Sequence, residues 1–158
     1  MAHYEGEVRV EWLRHGGEDR MMKLLEEFAF VDDNGVRWVA PAGSIIDGAS
    51  IPEMLWSAAN GTPFVGDYRR ATVLHDVACQ ERNRPSADVH RMFYDAMITD
   101  GVAKMRAIKM YTAVRLFGPH WVIQTARGAA TARAFGVEPE LNIDEVEHSL
   151  DHILGEEI

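Results

Sequence analysis

The change in hydrophobic periodicity near residue 50 constrains the fold of this chain most. Before it, apolar residues alternate with polar ones or form short runs, as in VRVEW at 8–12 and VRWVA at 36–40. After Pro52 the apolar residues recur every three or four positions. A period of two indicates strands, whereas a period near 3.6 indicates helices. The sequence therefore predicts an α+β protein, in which a small N-terminal antiparallel sheet precedes a helical bundle.

The N-terminal part predicts about three antiparallel strands, near residues 7–14, 22–31 and 36–41. Asn34-Gly35 separates two apolar runs, which is a strong local signal for a hairpin. A type I′ turn is expected there, with positive φ at both central residues.

The remainder divides into helices wherever glycine and proline interrupt the pattern. The predicted helices span 52–58, 67–81, 86–99, 103–116 and 120–134. The helix over 67–81 is apolar over a wide arc, so we expect it in the core. Ser86 is expected to cap the helix that follows Pro85.

The charge distribution separates the acidic segment 138–158 from a domain over residues 1–137. Of the net charge of -9, this C-terminal segment contributes eight acidic residues and no Lys or Arg, whereas residues 101–137 hold six basic residues and no acid. We expect an amphipathic acidic helix that docks on the basic helices of the same chain; alternatively, each block faces a partner. The apolar stripe of this predicted helix comprises Ile143, Val146, Leu150, Ile153 and Leu154.

Composition excludes several classes of protein. Cys79 is the single cysteine, which excludes an internal disulfide and a cysteine-based zinc cluster. The sequence shows no signal peptide and no apolar run near the roughly 20 residues of a membrane helix. Six cations over residues 101–137 make a sparse footprint, so nucleic-acid binding is not expected. We therefore expect a soluble cytoplasmic protein.

The pair His75-Asp76, within ATVLHDVACQ, is the first candidate for chemistry. An aspartate that accepts a ring N–H of His75 would make it a general base for water. Asp95 is favoured by symmetry about Pro85, whereas Asp88 reaches His75 only if the first helix ends near Cys79. The alternative is a core histidine that is fully hydrogen-bonded.

The loop IIDGASIP, residues 45–52, is the second candidate. Asp47 and Ser50 are expected to face the histidine, as a loop for a cation or substrate. The alternative is an Asx-turn in which Ser50 caps a helix beginning at Pro52. A serine nucleophile would need an elbow such as G-x-S-x-G, and DGASIP is not one, so the sequence does not predict a nucleophilic Ser50. Arg84, in the turn before Pro85, is a further candidate for substrate contact.

The remaining histidines give weaker signals. His148 and His152 share one face of the predicted C-terminal helix, but no carboxylate general base accompanies them as in H-E-x-x-H. Solvated surface is the more typical role for such a pair.

Taken in order, IIDGASIP, LHDVACQ and RPSAD resemble the domain-of-unknown-function family 1353 over about residues 25–118. This family is found largely in tailed phages, prophages and their hosts, and its name carries no established activity. The resemblance implies a phage or prophage origin, with synthesis in the host cytoplasm and a place in the virion as one destination. Protein partners in a phage particle or lipids of the cell envelope are the partners it implies.

A second, partial resemblance is to the His-Asp helix of phospholipase A2-like proteins, through His75-Asp76 and through Ala87-Asp88 before Phe93. It implies that His75 deprotonates water, that Asp88 orients it, and that Asp76 holds calcium. Carbonyl oxygens of a loop around Gly48 would complete the calcium site. Cys79 stands where that family has a tyrosine.

Two functional hypotheses follow. The first is a hydrolase of ester or similar cell-envelope bonds, with His75 and Asp88 as the dyad and Asp95 as the rival partner. The second is a non-catalytic tail or baseplate component, or an assembly factor, in which His75 and the aspartates form a structural network. An open cleft with an exposed ring nitrogen of His75, and with Asp88 or Asp95 about 3 Å from its other nitrogen, would favour the first hypothesis. A fully buried ring with both nitrogens bonded would argue against it.

Overall fold

The computed structural model describes residues 1–13, 21–48, 50–52 and 66–123. Within these ranges, six short strands precede three helices, which confirms the predicted α+β class. The strands are β1 (His3–Glu5), β2 (Val10–Trp12), β3 (Met22–Leu24), β4 (Phe28–Val31), β5 (Arg37–Ala40) and β6 (Ile45–Ile46). The helices are α1 (Arg69–Glu81), α2 (Ser86–Thr99) and α3 (Lys104–Phe117).

The strands form two antiparallel sheets of three, in the orders β1–β4–β5 and β2–β3–β6. The single strand predicted over 22–31 is therefore wrong, because β3 and β4 belong to different sheets. The break falls at residues 25–27, where one leucine and two glutamates are all exposed. Since three consecutive exposed residues cannot alternate between the faces of one sheet, the chain leaves the β2–β3–β6 sheet there and enters the β1–β4–β5 sheet.

The predicted hairpin is present between β4 and β5, but its turn differs from type I′. Val31 pairs with Arg37, and the N–H of Gly35 donates to the carbonyl of Asp32 at 2.9 Å. Gly35 has a φ of 77°, whereas the φ of Asn34 is not positive. The Asp32 carboxylate accepts the N–H groups of Asn34 and Val36, both at 2.9 Å. This carboxylate holds the turn, so that only the glycine must be left-handed.

The three helices begin and end within two residues of the predicted spans and pack side by side, with α2 between α1 and α3. Arg82 ends α1 in the left-handed conformation, at a φ of 53°. The predicted Ser86 cap is wrong, because Ser86 is the first residue of α2 and its hydroxyl donates to the carbonyl of Trp121 at 3.0 Å. None of the described helices is long and apolar enough to cross a membrane.

Three predictions for later parts of the chain lie outside the described residues. They are the helix over 52–58, most of the helix over 120–134, and the acidic segment 138–158 with its docking surface. Residues 119–123, which are described, are not helical.

The first sheet is tied to the helices by a polar contact as well as by the core. The Tyr4 hydroxyl donates to the carbonyl of Ala96 at 2.7 Å and lies 3.2 Å from Asp100 Oδ2. Arg70 donates to the same carboxylate through Nε at 2.8 Å, and its guanidinium stacks 4.0 Å from the centre of the Tyr4 ring. These contacts join β1 to the start of α1 and the end of α2. The buried core around them includes Phe28, Phe30, Leu74, Phe93 and Val114.

Candidate functional site

His75 lies on the face of α1 that packs against α2. Tyr68, Thr72, His75 and Cys79 form the predicted stripe at helical spacing, and all four are buried. The His75 side chain is inaccessible to solvent and its ring packs 4.7 Å, centre to centre, from that of Phe93. An imidazole in such surroundings must find its hydrogen-bond partners within the protein.

Both nitrogens of the His75 ring have a partner within hydrogen-bond distance. Nδ1 lies 3.1 Å from the hydroxyl oxygen of Ser50, and Nε2 lies 2.8 Å from Nδ1 of His90. Nε2 of His90 in turn lies 3.0 Å from the carbonyl oxygen of Pro119. A continuous chain of hydrogen bonds thus crosses from the loop after β6, through α1 and α2, to the segment after α3.

The carbonyl of Pro119 fixes the direction of this chain, because a carbonyl oxygen can only accept. His90 Nε2 must therefore carry the proton, and in the neutral ring Nδ1 is then an acceptor. It follows that His75 donates through Nε2 and that His75 Nδ1 is unprotonated. The Ser50 hydroxyl is then the donor to His75 Nδ1.

Burial keeps both imidazoles in the neutral form that this assignment needs. The pKa of His75 is well below its usual value because of burial and, second, the charge of a neighbouring His90 cation. Burial is also the main reason that the pKa of His90 falls to about 4. At neutral pH neither ring is protonated twice, so the hydrogen bonds keep the direction set by Pro119.

Asp76, the next residue of α1, binds the backbone of the loop after β6. Its Oδ2 accepts the N–H of Asp47 at 3.0 Å and that of Gly48 at 3.4 Å, while Oδ1 accepts the N–H of Ser50 at 3.4 Å. The side-chain amide of Gln80 bridges Asp76 Oδ2 and the carbonyl of Ile45, at 3.2 and 2.9 Å. This carboxylate therefore fixes the backbone that carries Ser50.

The predicted calcium role of Asp76 does not fit this arrangement. Both carboxylate oxygens face N–H groups, whose hydrogens carry partial positive charge and stand where a cation would be bound. Burial raises the pKa of Asp76, and the bonds from the loop act in the opposite direction. Among the residues that the structure describes, no group of three or more His, Cys, Asp or Glu is arranged to hold a metal ion.

Neither predicted aspartate partner contacts His75. Asp88 is exposed in the first turn of α2, and the side chain of Asp95 accepts a hydrogen bond from Arg91 at 3.1 Å. Since α1 continues to Glu81 instead of ending near Cys79, Asp88 lies too far along the helix pair to reach the ring. The positions predicted for the aspartate are taken by Ser50 and His90.

A pocket of about 330 Å³ lies where the loop after β6, α1 and the Pro119 segment meet. Ser50 lines it, together with Asp76 and Cys79, so the end of the hydrogen-bond chain is at the pocket wall. The remaining lining residues are Ile45, Asp47, Gln80 and Pro119.

Cys79 also lines this pocket but is poorly placed to serve as a nucleophile. Its Sγ lies 3.8 Å from Nδ1 and 3.7 Å from Nε2 of His75, so it is off the lone-pair direction of either nitrogen. Burial raises the pKa of this thiol to about 12, which keeps it protonated at neutral pH.

Arg84 is placed away from this site. Its guanidinium lies 4.8 Å from the centre of the Trp38 ring, in a separate pocket of about 220 Å³ on another face of α1. His90, in contrast, belongs to the site and was not predicted. The feature that could have indicated His90 is its position on the predicted helix that packs against the His75 helix, on the buried face of α2.

Comparison with known proteins places the chain in a family. The family model described as "Protein of unknown function (DUF1353)" matches residues 22–114. The uncharacterized protein y4jT of Sinorhizobium fredii (strain NBRC 101917 / NGR234) is 43% identical over 105 residues, which cover 66% of this chain and 31% of that protein. The uncharacterized protein y4iH of the same strain is 41% identical over 104 residues, covering 65% of this chain and 43% of that protein.

The chain spans less than half the length of both curated relatives. No solved structure shows a significant match. The matched region extends from β3 to residue 114 within α3, and therefore contains Ser50, His75 and His90 but not Pro119. The chain belongs to the DUF1353 family of proteins of unknown function.

Proposed function

We propose that this protein is a hydrolase of ester bonds, with His75 as its proton acceptor. The observation that carries this function is the directed hydrogen-bond chain from Pro119 through His90 to His75, which leaves His75 Nδ1 unprotonated. That nitrogen faces Ser50 at the wall of the pocket. A general base must be unprotonated and within hydrogen-bond reach of the proton it removes.

Burial of the histidine is compatible with this role. The His75 ring need not touch substrate if its proton donor, at 3.1 Å, forms the pocket wall. A volume of about 330 Å³ is at the small end for a ligand site, and suits an ester group with its nearest carbons. We take lipid esters of the cell envelope as the substrate class from the partial resemblance to the phospholipase A2 helix, whose implied roles for Asp88 and Asp76 this site does not reproduce.

The test measures release of fatty acid from mixed phospholipid vesicles and release of chromophore from short-chain nitrophenyl esters, each with calcium and with chelator. Wild type is compared with His75→Gln and with His3→Gln, a change at an exposed histidine outside the site. We expect release that is lost in His75→Gln and kept in His3→Gln. Equal release by wild type and His75→Gln, or none by wild type, would contradict a hydrolase of this kind.

A non-catalytic role is the second candidate, favoured by the complete burial of His75 and His90. A buried, fully bonded polar network can fix how a loop and two helices pack, and this suits a virion component or assembly factor. The family resemblance supports a tailed-phage or prophage origin for either role. Mass spectrometry of purified phage particles tests the virion location: the protein is enriched with capsid and tail proteins, or it is absent from them.

A further inference from the structure

We infer that Ser50 is a covalent nucleophile and that Ser50, His75 and His90 act together as a Ser–His–His relay. The inference rests on the proposed hydrolase function and names the group that His75 deprotonates. In place of water, the proton donor is the serine hydroxyl already bonded to the ring.

The first support is the contact between Ser50 and His75. The hydroxyl oxygen lies 3.1 Å from Nδ1, within the range of a nucleophile bonded to its base. Since the Pro119 carbonyl sets the proton positions along the chain, the serine is the donor in this bond.

The second support is the way the backbone presents Ser50. The Asp76 carboxylate accepts hydrogen bonds from the N–H groups of Asp47, Gly48 and Ser50. The loop therefore curves tightly around this carboxylate. Gly48 adopts a φ of 73° in this curve, a conformation that suits glycine. The serine is thereby held with its side chain between His75 and the pocket.

Asp76 is also a second acceptor for the Ser50 hydroxyl, since a side-chain hydrogen bond from Ser50 lowers the pKa of that carboxyl. The hydroxyl proton lies in the bond to His75 Nδ1 at 3.1 Å, and the Asp76 carboxylate is the other acceptor near the same hydroxyl. Transfer of the proton to Asp76 would leave the Ser50 alkoxide beside a neutral carboxylic acid, whereas transfer to His75 Nδ1 leaves it beside a cation. Because the cation stabilises the alkoxide, the base in the relay is His75.

The reaction balances with water as the only other reactant. Ser50 Oγ attacks the acyl carbon of the ester while its proton passes to His75 Nδ1, and the resulting cation is held by the bond from its Nε2–H to His90. The alcohol oxygen leaves with the proton from His75, which gives an acyl-serine. Water then attacks the acyl carbon and gives a proton to His75, which returns it to Ser50 Oγ as the carboxylic acid departs.

His90 is a positioning residue in this scheme. It touches no substrate and acts by holding the proton of His75 on Nε2, as the aspartate does in a Ser-His-Asp triad. A neutral imidazole stabilises the His75 cation less than a carboxylate does. We therefore expect a slow nucleophile with a clear dependence on His75.

The test is labelling of the full chain by an alkyl fluorophosphonate, which reacts with activated serines and needs no known substrate. Intact mass and peptide mapping should place one adduct on Ser50 and none in Ser50→Ala. The labelling rate should fall at least about a hundredfold in His75→Gln, the lower end of what a general base contributes. Ser44→Ala, a change in the turn before β6, is the matched control and should label like wild type.

The pH profile of labelling separates positioning from a purely structural role. In the relay a neutral His90 accepts the Nε2–H of the His75 cation, and a side-chain amide accepts it less well, so His90→Gln should move the midpoint of the labelling rate to lower pH. Thermal unfolding checks that each variant is folded. A slower rate with an unchanged midpoint would overturn the role of His90.

The outcomes distinguish this relay from the proposed function. No adduct at Ser50, or equal labelling of wild type and His75→Gln, overturns the relay. Ester hydrolysis that persists in Ser50→Ala but is lost in His75→Gln keeps the hydrolase and overturns the serine nucleophile. An adduct at Ser50 that depends on His75, without turnover of any ester tested, supports the nucleophile and counts against those esters as substrates.

Discussion

Nε2 of His75 lies 2.8 Å from Nδ1 of His90, so one proton joins two imidazoles across the interface of α1 and α2. Both rings are inaccessible to solvent, and each is bonded on its other nitrogen. A second proton on either ring would break a hydrogen bond or face another donor. The pair is therefore stable only as two neutral rings.

Stability should consequently fall in mild acid. The folded pKa values of both histidines lie below the value of about 6.5 for an unfolded chain. Below that pH the unfolded state binds protons that the folded state does not, so acid favours unfolding. The loss of stability is absent above about pH 7 and grows toward pH 5. The free energy of unfolding then falls with a limiting slope of about 1.4 kcal/mol per pH unit for each histidine.

Urea unfolding at pH 7.5, 6 and 5 measures this slope. His90→Gln removes one of the two groups and should make the loss of stability between pH 7 and 5 shallower. His3→Gln should leave it unchanged, because His3 is largely exposed. A free energy of unfolding that is constant over this range would contradict the neutral pair.

Asp76→Asn should destabilise the fold by roughly 2–4 kcal/mol, since buried N–H groups of the loop lose an acceptor. The asparagine oxygen replaces one carboxylate oxygen, but its amide turns a donor toward other donors. Asp88→Asn is the matched control at an exposed aspartate, expected within about 0.5 kcal/mol of wild type. Equal unfolding midpoints for the two variants in urea would contradict the role of Asp76.

Tyr4→Phe should cost about 1–2 kcal/mol, because its hydroxyl donates to the carbonyl of Ala96 within a partly buried contact. The matched control is Tyr111→Phe, a buried ring whose hydroxyl makes no hydrogen bond among the described residues. The difference between the two thermal midpoints measures the contact. A smaller shift for Tyr4→Phe than for Tyr111→Phe would rule out this tie between β1 and α2.

The β4–β5 turn predicts opposite results at adjacent positions. Gly35 has a φ of 77°, so Gly35→Ala should cost about 1–2 kcal/mol even though its Cβ would meet open space. Asn34 has no positive φ, so Asn34→Ala should change stability by less than about 0.5 kcal/mol. A type I′ turn would make both substitutions costly, and chemical denaturation of the two variants separates the alternatives.

The helices were predictable from sequence because their periodicity extends over three or more turns and glycine or proline ends each of them. The strands were less so, since elements of two to four residues give too little alternation to show where one sheet ends. Residues 22–31 were predicted as one strand, yet the exposed residues 25–27 divide this segment between two sheets. Only tertiary packing decides such a division.

The partner of His75 was missed for a geometric reason. Symmetry about Pro85 pointed to Asp95, but the connection between α1 and α2 covers residues 82–85, so its midpoint lies before Pro85. Residues that face each other are equidistant from that midpoint, so an error in the position of the midpoint is doubled in the position of the facing residue. The corrected position is about residue 92, close to His90.

The contact between Ser50 and His75 joins residues 25 positions apart and depends on the Asp76 clamp, which no local pattern reveals. The motif did indicate that IIDGASIP and His75 belong to one site. It did not indicate that the hydroxyl of Ser50 faces the ring.

The most direct measurement of the central claim is the protonation of the two buried rings. Long-range proton–nitrogen correlation NMR on protein with ¹⁵N-labelled histidine, at pH 7.5, distinguishes ring nitrogens that carry a proton from those that do not. The spectra of His75→Gln and His90→Gln assign the signals of the two rings. We predict that both rings carry their proton on Nε2 and that Nδ1 of His75 is unprotonated. A proton on Nδ1 of His75, or a doubly protonated ring, would contradict the relay that ends at Ser50.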